Sequence, residues 1–480
     1  MPGRLSIVLH THMPYVEGFD TWPFGEEWLW EAIATSYLPV LDVLDRTGAP
    51  ITLSITPVLC DQIEAPGALD RCRAFLEQVR PESHRIDLEE QPRELHAAIE
   101  RSARDYERAA DRLAGLDLLN AFAPHAAWTS SATHAVLPLL ATGAGARLQV
   151  ATGIDSHRRR FSAQRPWRGG FWLPECGHAP WLDPLLEDAG VHATCVDLTD
   201  VFGYSSRRHL RPLRTEDGVT LVPLDRQTIE LVWSDHGYPA EGGYRDYHQR
   251  TRMDHRPWAV DGTPYDADRA AALAREHAVD FVARALVRSD EVEDGLVVCA
   301  LDTELLGHWW YEGPQWLEAV VNECARQGLA LAHLDDALEE TSSVPFHEKK
   351  GSVPFLSHKG TDPLFSHRGT ELPVTTWGTP RDLTTWSGPG VEDFAWRARR
   401  AELELLRAGA NASMRAVREL LALQSSDWAF LVHRDLAAAY GHDRAEGHAA
   451  RLVAELASLG SNAPELRNLA PYATIAPLLA

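Results

Sequence analysis

Short apolar runs alternate along the chain with longer segments whose apolar residues recur every three or four positions. The short runs predict strands at Leu5–Leu9, Ile51–Ile55, Leu118–Phe122, Phe171–Leu173, Ala193–Val196 and Leu296–Leu301. Segments with helical spacing lie between them, among them Glu26–Leu44 and Ala68–Val79. Strands that alternate with helices predict an α/β protein with a parallel sheet, either open or closed into a barrel.

Three departures from this alternation predict the domain organisation. The charged helical pattern around 88–115 is too long for a simple crossover, so we expect a helical insertion at about 62–115 within a catalytic unit of residues 1–340. Residues 341–390 form an expected linker with a His-rich repeat and a Trp-rich loop. Spacing from 391 to 480 is helical throughout, which predicts a C-terminal helical domain.

The repeat contains Ser-Val-Pro-Phe twice and has histidines at 347, 358 and 367. Three histidines are compatible with a metal site. The repeat lacks core residues, however, and a surface insertion explains it more simply.

Charge and composition restrict the partners. With 69 acidic against 46 basic residues, the formal net charge is −23, which repels nucleic acid and anionic membranes. The N-terminus has no signal-peptide pattern, and no apolar run approaches the roughly 18 residues of a membrane span. The six cysteines are scattered and look like reduced thiols. We therefore expect a cytoplasmic protein without nucleic-acid or membrane partners.

Tryptophan is unusually frequent, with 16 residues, and several lie beside Gly, Pro, Asp or His, as in "WGTPRDLTTWSGPG". Flat amphipathic rings in loops are suited to stacking on the apolar face of a sugar. Core packing explains others equally well.

Two carboxylates follow predicted strands. Glu175 ends "GGFWLPE" and Asp302 ends "GLVVCALD". Because the C-terminal ends of parallel strands form the active face of α/β proteins, both carboxylates are expected there. A carboxylate pair in an aromatic-lined cleft is typical of glycosidic-bond chemistry. Ordinary strand-end caps are the alternative.

His10 and His12, in "LHTHMPY", lie on one side of a strand end. They could bind a metal together with Asp302, as in a metal-dependent deacetylase, with His134 as a further ligand. They could instead donate hydrogen bonds to sugar hydroxyls. Spacing does not separate these hypotheses.

Five ordered stretches resemble the motifs of glycoside hydrolase family 57: "LHTHMPY", "SATHAVLPLL", "GFWLPECGH", "LDTELLGHWWYEGP" and "LALQSSDWAF". The last is similar to its 1,4-α-glucan branching enzyme subgroup, including actinobacterial members. The resemblance implies an incomplete (β/α)7 barrel, a helical domain closing over the cleft, and a retaining mechanism without a cofactor or metal. Glu175 would be the nucleophile and Asp302 the general acid/base, their carboxyls about 5–5.5 Å apart. His10, His12 and His134 would bind the reactive sugar.

The resemblance also implies contacts to the α-glucan by Trp233, Trp377 and Asp427, and by Arg226, although the spacing of Arg226 differs by about two residues. Trp22 and Trp28 lie in the first loop, where aromatic rings could hold the donor chain. Trp428 follows Asp427 in a polar interruption of a helix, and either a helix cap or a ligand contact explains that interruption.

Relatives of this subgroup carry a loop tyrosine before the Val-Trp-Ser segment that favours transfer over hydrolysis. Here the loop is shorter and its one tyrosine is Tyr204. We expect a branching enzyme of glycogen-like glucan. An α-glucan hydrolase or 4-α-glucanotransferase is the alternative, and a metal-dependent deacetylase or a non-catalytic glucan-binding protein are further hypotheses.

Overall fold

The computed structural model describes residues 3–18, 25–342, 372–457 and 466–480. Its strands are β1 Arg4–Thr11, β2 Thr52–Ile55, β3 Ala126–Ser130, β4 Phe171–Trp172, β5 Ala193–Val196, β6 Leu213–Arg214, β7 Thr220–Pro223, β8 Leu296–Asp302 and β9 Ala330–Leu331. Five predicted strands are confirmed, each within two residues at either end.

One predicted strand is wrong. Leu118–Phe122 forms a short helix, and β3 follows it at Ala126–Ser130. The Asp117 carboxylate accepts a hydrogen bond from the backbone N–H of Asn120 at 3.0 Å, which caps the start of this helix. A segment of five residues, four of them apolar, is too short to show a usable period, so the cap decides the conformation.

Seven parallel strands follow one another in the order β8-β1-β2-β3-β4-β5-β7. Ladders join the first five, a single bridge between Gly170 and Ala193 joins β4 to β5, and β5 pairs with β7. The backbone N–H of Asp225, just past β7, donates to the carbonyl of Val298 in β8 at 2.9 Å. This contact brings the two ends of the sheet together, and the architecture is the expected incomplete (β/α)7 barrel.

Helices cover the outside of the sheet. Those before β8 are α1 Glu26–Ala32, α2 Leu38–Thr47, α3 Pro57–Ile63, α4 Ala68–Ala74, α5 Arg80–Glu90, α6 His96–Leu113, α7 Leu118–Phe122, α8 Gly143–Phe161, α9 Asp183–Asp188, α10 Thr199–Phe202, α11 Arg226–Val232 and α12 Ala267–Ser289. Five of them, α3 to α7, lie between β2 and β3, where the sequence predicted a helical insertion.

The remaining helices are α13 Gly313–Gln327, α14 Leu334–Ser342, α15 Thr384–Ser387, α16 Glu392–Ala408, α17 Met414–Leu423, α18 Asp427–His433, α19 Ala438–Leu456 and α20 Ala476–Leu479. The apolar faces of α16 to α19 form one buried cluster that also contains Tyr15, Val58, Ala132 and Leu148 from the barrel. The C-terminal helices are therefore packed directly on the barrel. None of the helices in the described ranges is long and apolar enough to cross a membrane.

Strand register brings polar residues together at one end of the sheet. His10 in β1 is opposite Ser54 in β2 and Asp302 in β8, and Ser130 in β3 is opposite Trp172 in β4. These are the C-terminal ends of parallel strands, where active sites of such sheets lie.

Candidate active site

Glu175 is delivered from β4 by an unusual backbone. Glu175 has φ 60° and Cys176 has φ 50°, a left-handed conformation that costs a non-glycine residue about 1–2 kcal/mol. The conformation is held by the backbone N–H of Trp377, which donates to the Glu175 carbonyl at 3.0 Å. Gly170 is required upstream, because a Cβ there would lie 2.1 Å from the indole nitrogen of Trp128. Strained residues held in place by their surroundings are concentrated at functional sites.

The Glu175 carboxylate accepts two hydrogen bonds. The indole N–H of Trp377 donates to Oε2 at 3.2 Å, and the Ser426 hydroxyl donates to Oε1 at 3.4 Å. His134 Nδ1 lies 3.9 Å from Oε1. With 16% of its side chain exposed, Glu175 faces the cleft yet is largely withdrawn from water.

Burial raises the pKa of both predicted catalytic carboxyls, but to different extents. Burial raises the pKa of Glu175 to about 7, while hydrogen bonds from Trp377 and Ser426 and the charge of His12 oppose the rise. Burial, then the negative charges of Glu304 and Glu175, raise the pKa of Asp302 well above its usual range. Asp302 is thus the group that keeps its proton, and Glu175 is the group that ionises first.

The three predicted histidines form one network with residues from distant parts of the chain. His10 Nε2 and His134 Nε2 share a hydrogen bond of 3.0 Å. His12 Nε2 lies 3.0 Å from Asp427 Oδ1, and His134 Nδ1 lies 2.9 Å from the Ser426 hydroxyl. His12 therefore bridges the end of β1 and helix α18.

The protonation of these histidines differs. Burial lowers the pKa of His10 and His134 well below the usual value, so both are neutral. Burial also opposes protonation of His12, but the Asp427 carboxylate outweighs it, with help from Glu304 and Glu175, and raises the pKa of His12. The carboxylates thus favour the protonated, positively charged form of His12.

His12, His134 and Asp427 have ligating atoms within 4.8 Å of one another, a set that differs from the His10, His12 and Asp302 group considered from sequence. The rings of His12 and His134 are stacked with centroids 3.9 Å apart and planes within 18°. Lone pairs of ring nitrogens lie in the ring plane, so nearly parallel stacked rings do not aim them at one tetrahedral centre. This geometry fits hydrogen bonding better than metal coordination.

A row of aromatic rings leads away from Glu175. Trp377 contacts Trp172 edge-to-face at 5.1 Å and Trp233 at 5.8 Å, and Trp233 in turn lies 6.1 Å from Trp309. Trp233 is 37% exposed and presents its ring to solvent. Such a row suits a linear sugar chain, which needs successive stacking surfaces.

Comparison with known proteins identifies the family. Residues 127–349 match glycosyl hydrolase family 57, and residues 397–478 match the C-terminal region of 1,4-α-glucan branching enzymes. A probable 1,4-α-glucan branching enzyme of Mycobacterium tuberculosis is 33% identical over 385 residues, which cover 71% of each chain. The chain belongs to glycosyl hydrolase family 57.

Further similarity supports the assignment to family 57. A 1,4-α-glucan branching enzyme of Thermococcus kodakarensis is 31% identical over 398 residues, and the chain spans 58% of that relative's length. A crystal structure of a family 57 branching enzyme from Pyrococcus horikoshii superposes with a TM-score of 0.86 at 29% identity, covering 100% of this chain and 97% of the other. The resemblance read from five sequence motifs and the fold class are both confirmed.

Other predicted residues of this family 57 chain have varied surroundings. The Arg226 guanidinium donates to the Asp197 carboxylate at 2.6 Å and to the backbone carbonyl of Trp377. Arg226 therefore holds the loop that carries Trp377. Trp28 lies on helix α1 and not in the first loop as expected, and its partly buried ring packs against both large apolar clusters. Trp22 and the histidines at 347, 358 and 367 lie outside the described residues.

The expected glucan contact of Trp428 needs correction. Its ring is fully buried in the C-terminal cluster, and its indole N–H donates to the carbonyl of Ala422 at 2.8 Å. A ring without exposed surface packs the domain and does not reach the cleft. Its neighbour Asp427, by contrast, reaches His12.

Tyr204, the one tyrosine of the shortened loop, is 43% exposed, and its hydroxyl donates to Glu230 at 2.8 Å. Glu230 lies on α11, whose C-terminal end is followed by Trp233. The tyrosine is held on the α11 side of the loop.

Sequence reasoning missed a third carboxylate. Glu304 Oε1 accepts hydrogen bonds from the Tyr37 hydroxyl at 2.6 Å and from the backbone N–H of His12 at 3.0 Å. Burial raises the pKa of Glu304 to about 7. Its position two residues after Asp302 was the available signal, because both follow the same buried strand.

Proposed function

We propose that this family 57 enzyme is a 1,4-α-glucan branching enzyme that acts by retaining double displacement. One observation carries the proposal: two successive residues from the region that matches branching enzymes, Ser426 and Asp427, enter the carboxylate site, on Glu175 and His12 respectively. That region is thus part of the chemistry and not an appended module.

In the first step, ionised Glu175 attacks the anomeric carbon while Asp302 gives its proton to the leaving 4-oxygen of the glucan. The products are a covalent glycosyl-enzyme and a shortened chain. In the second step Asp302 takes the proton of an acceptor 6-hydroxyl, whose oxygen displaces Glu175 and forms an α-1,6 branch. The unequal pKa shifts support these roles, and the mechanism requires the carboxyls to be about 5–5.5 Å apart.

The histidine network and the aromatic row support sugar binding. Neutral His10 and His134 and charged His12 offer donors to hydroxyls of the reacting sugar, while Trp377, Trp233 and Trp309 offer stacking surfaces. We place the enzyme in the cytoplasm, acting on glycogen-like glucan. Six buried cysteines without disulfides support a reducing compartment.

The acceptor distinguishes branching from its alternatives. After incubation with amylose, new α-1,6 linkages are measured by proton NMR and enzymatic debranching, and reducing ends are counted in the same samples. Branching predicts new α-1,6 linkages well in excess of new reducing ends. Reducing ends without α-1,6 linkages would establish a hydrolase, and redistributed chain lengths with neither would establish a 4-α-glucanotransferase.

Azide separates the roles of the two carboxyls. With α-maltosyl fluoride, which needs no acid, the Asp302→Ala variant forms the glycosyl-enzyme, and azide should release it as the α-glycosyl azide. The Glu175→Ala variant lacks the nucleophile, and azide taking its place should give the β-anomer. The same anomer from both variants, or undiminished turnover of amylose by Glu175→Gln, would overturn the assignment.

A further inference from the structure

A cavity that Glu175 and Asp302 do not line lies between α2, α6, α13 and the segment 245–256. Its volume is about 300 Å³, within the range of small-ligand sites. Arginine is the most frequent charged residue in its lining, with seven side chains against five acidic ones. This balance is opposite to that of the whole chain, whose formal net charge is −23.

The acidic side chains of the cavity are already engaged. Asp42 pairs with Arg112 at 3.1 Å, Asp105 with Arg108, Asp254 with Arg250 at 2.9 Å and Glu318 with Arg46 at 2.8 Å, while Asp246 accepts the backbone N–H of His248 at 2.7 Å. These contacts neutralise the carboxylates locally. They leave other arginines of the same cavity without a direct ion pair, although the charge of Asp105 acts on Arg101 and those of Glu312 and Asp105 act on Arg245.

Three arginines are in that position: Arg101 on α6, and Arg245 and Arg256 on the segment 245–256. Among the residues that the structure describes, no carboxylate forms an ion pair with any of them. Four of their nitrogens are buried without a hydrogen-bond acceptor in the described part of the chain: Nε of all three and Nη2 of Arg245. A buried donor left without an acceptor is destabilising, so a ligand with several acceptor oxygens would be favoured here.

Stacking fixes the orientation of two of these guanidinium groups. Arg245 lies 3.5 Å from the ring centroid of Tyr311 and 4.7 Å from that of Tyr265, and Arg256 lies 4.3 Å from that of Tyr247. A guanidinium stacked on an aromatic face keeps its N–H edge free for an oxyanion. Guanidinium groups that are already oriented lose little conformational entropy on binding. Their paired N–H donors match two oxygens of a phosphate, which favours phosphate over a monovalent ion.

The cavity is joined to the proposed active site by one residue. Trp309 lines the cavity and is also the last ring of the row that starts at Trp377. His308 and Tyr247 continue the aromatic lining on the cavity side, with ring centroids 6.4 Å apart. A sugar bound to the oxyanion would find stacking surfaces next to it.

We propose that this cavity is a binding site for a phosphate monoester of a sugar, with Arg101, Arg245 and Arg256 holding the phosphate oxygens. The phosphate could belong to a free sugar phosphate or to a phosphorylated residue of a glucan chain. The chemistry recognised is the same in both cases, and neither Glu175 nor Asp302 lines the cavity.

Calorimetric titration of the full chain at constant ionic strength tests the site. The probes are inorganic phosphate, glucose 6-phosphate and a maltooligosaccharide phosphorylated at one 6-position, with unphosphorylated glucose as the neutral control. Variants Arg101→Gln and Arg256→Gln each remove one guanidinium group. Arg245→Lys keeps the positive charge but removes the paired N–H donors of the guanidinium. Arg85→Gln is the matched control, because Arg85 is an exposed arginine of α5 that pairs with Glu82 and Glu89 outside the cavity.

We expect saturable binding of the phosphate probes, weakened at least about tenfold by each of the three cavity variants and changed less than about twofold by Arg85→Gln. Tighter binding of glucose 6-phosphate than of the phosphorylated chain would identify a free sugar phosphate, and the reverse would identify a glucan ester. Absence of saturable binding by the unmodified protein, or equal affinities in cavity and control variants, would overturn the proposal. Thermal unfolding of each variant confirms that it is folded.

Discussion

The hydrogen bond from Trp377 to Glu175 permits a quantitative prediction. Trp377→Phe removes the indole N–H that donates to Oε2 at 3.2 Å, and retains a ring that can contact Trp172 and Trp233. The backbone bond from residue 377 to the Glu175 carbonyl is also retained. The substitution therefore changes the charge stabilisation of one carboxylate and little else.

A hydrogen bond to a charged group contributes about 1.5–3 kcal/mol, and one pKa unit corresponds to about 1.36 kcal/mol. The distance is at the long end of the usual range, so we expect a rise of about one unit in the pKa of Glu175, from about 7 towards 8. The nucleophile must be ionised, and a higher pKa lowers its ionised fraction at acid pH. At pH 6 the fraction should fall roughly ninefold, whereas at pH 9 it should change by about a tenth.

The assay is the pH dependence of kcat/KM for cleavage of a maltooligosaccharide between pH 5 and 9.5, because this parameter reports the free enzyme. Trp386→Phe is the control: Trp386 lies in the same segment, and its buried indole nitrogen has no hydrogen-bond partner. The acid limb should move up by about one unit in Trp377→Phe and stay in place in Trp386→Phe. An unmoved acid limb in Trp377→Phe, or equal shifts in both variants, would refute the role given to this bond.

Three further predictions concern Glu304, Gly307 and the absence of a metal requirement. Glu304→Gln removes a negative charge that raises the pKa of Asp302, so the acid loses its proton sooner and the alkaline limb of kcat/KM should move down by about half a unit to one unit; an unchanged limb would contradict the coupling. Gly307→Ala should lower the free energy of unfolding by about 2–4 kcal/mol in denaturant titrations, because a Cβ there would lie 1.8 Å from the Thr35 carbonyl at φ 103°. Gly115→Ala, at φ 74° with open space around it, should cost only about 1 kcal/mol, and equal losses would exclude the steric explanation. Cleavage of amylose should continue at an unchanged rate after dialysis against a chelator. Loss of this activity, with recovery only on addition of metal, would instead support a metal-dependent site such as the deacetylase hypothesis requires.

The local pattern of apolar residues was sufficient to predict most strands of the barrel. It failed at Leu118–Phe122, where a capping residue determines that the segment is helical. Buried parallel strands are continuous apolar runs, so β1, β2, β5 and β8 were readable from sequence. Leu118–Phe122 is also mostly apolar, but it contains Asn120 and follows a capping aspartate, and the capping residue was the signal overlooked.

Only those residues of the candidate site that lie at the ends of strands could be predicted from the local sequence. Glu175 and Asp302 follow strands, and their position at the C-terminal edge needed no knowledge of distant contacts. The pairing of His12 with Asp427 joins residues 415 positions apart and has no local signature. Family resemblance supplied Asp427, whereas Ser426 became visible only in the structure. A ligand contact of Trp428 was suggested by the polar interruption of the helix, and the buried position of its ring does not agree with it.

Segments outside the barrel contribute to the difference between the two carboxyls. Strand ends supply Glu175 and Asp302, and burial raises the pKa of both, with a further rise from the charges of Glu304 and Glu175 at Asp302 and of Asp427 at Glu175. Both side-chain hydrogen bonds that oppose this rise in Glu175 come from later segments: Trp377 on the loop before α15, and Ser426 at the start of α18. Without these two hydrogen bonds the pKa of Glu175 would be higher and closer to that of Asp302. The bonds from Trp377 and Ser426 thus favour the ionised form of Glu175, which the proposed mechanism requires.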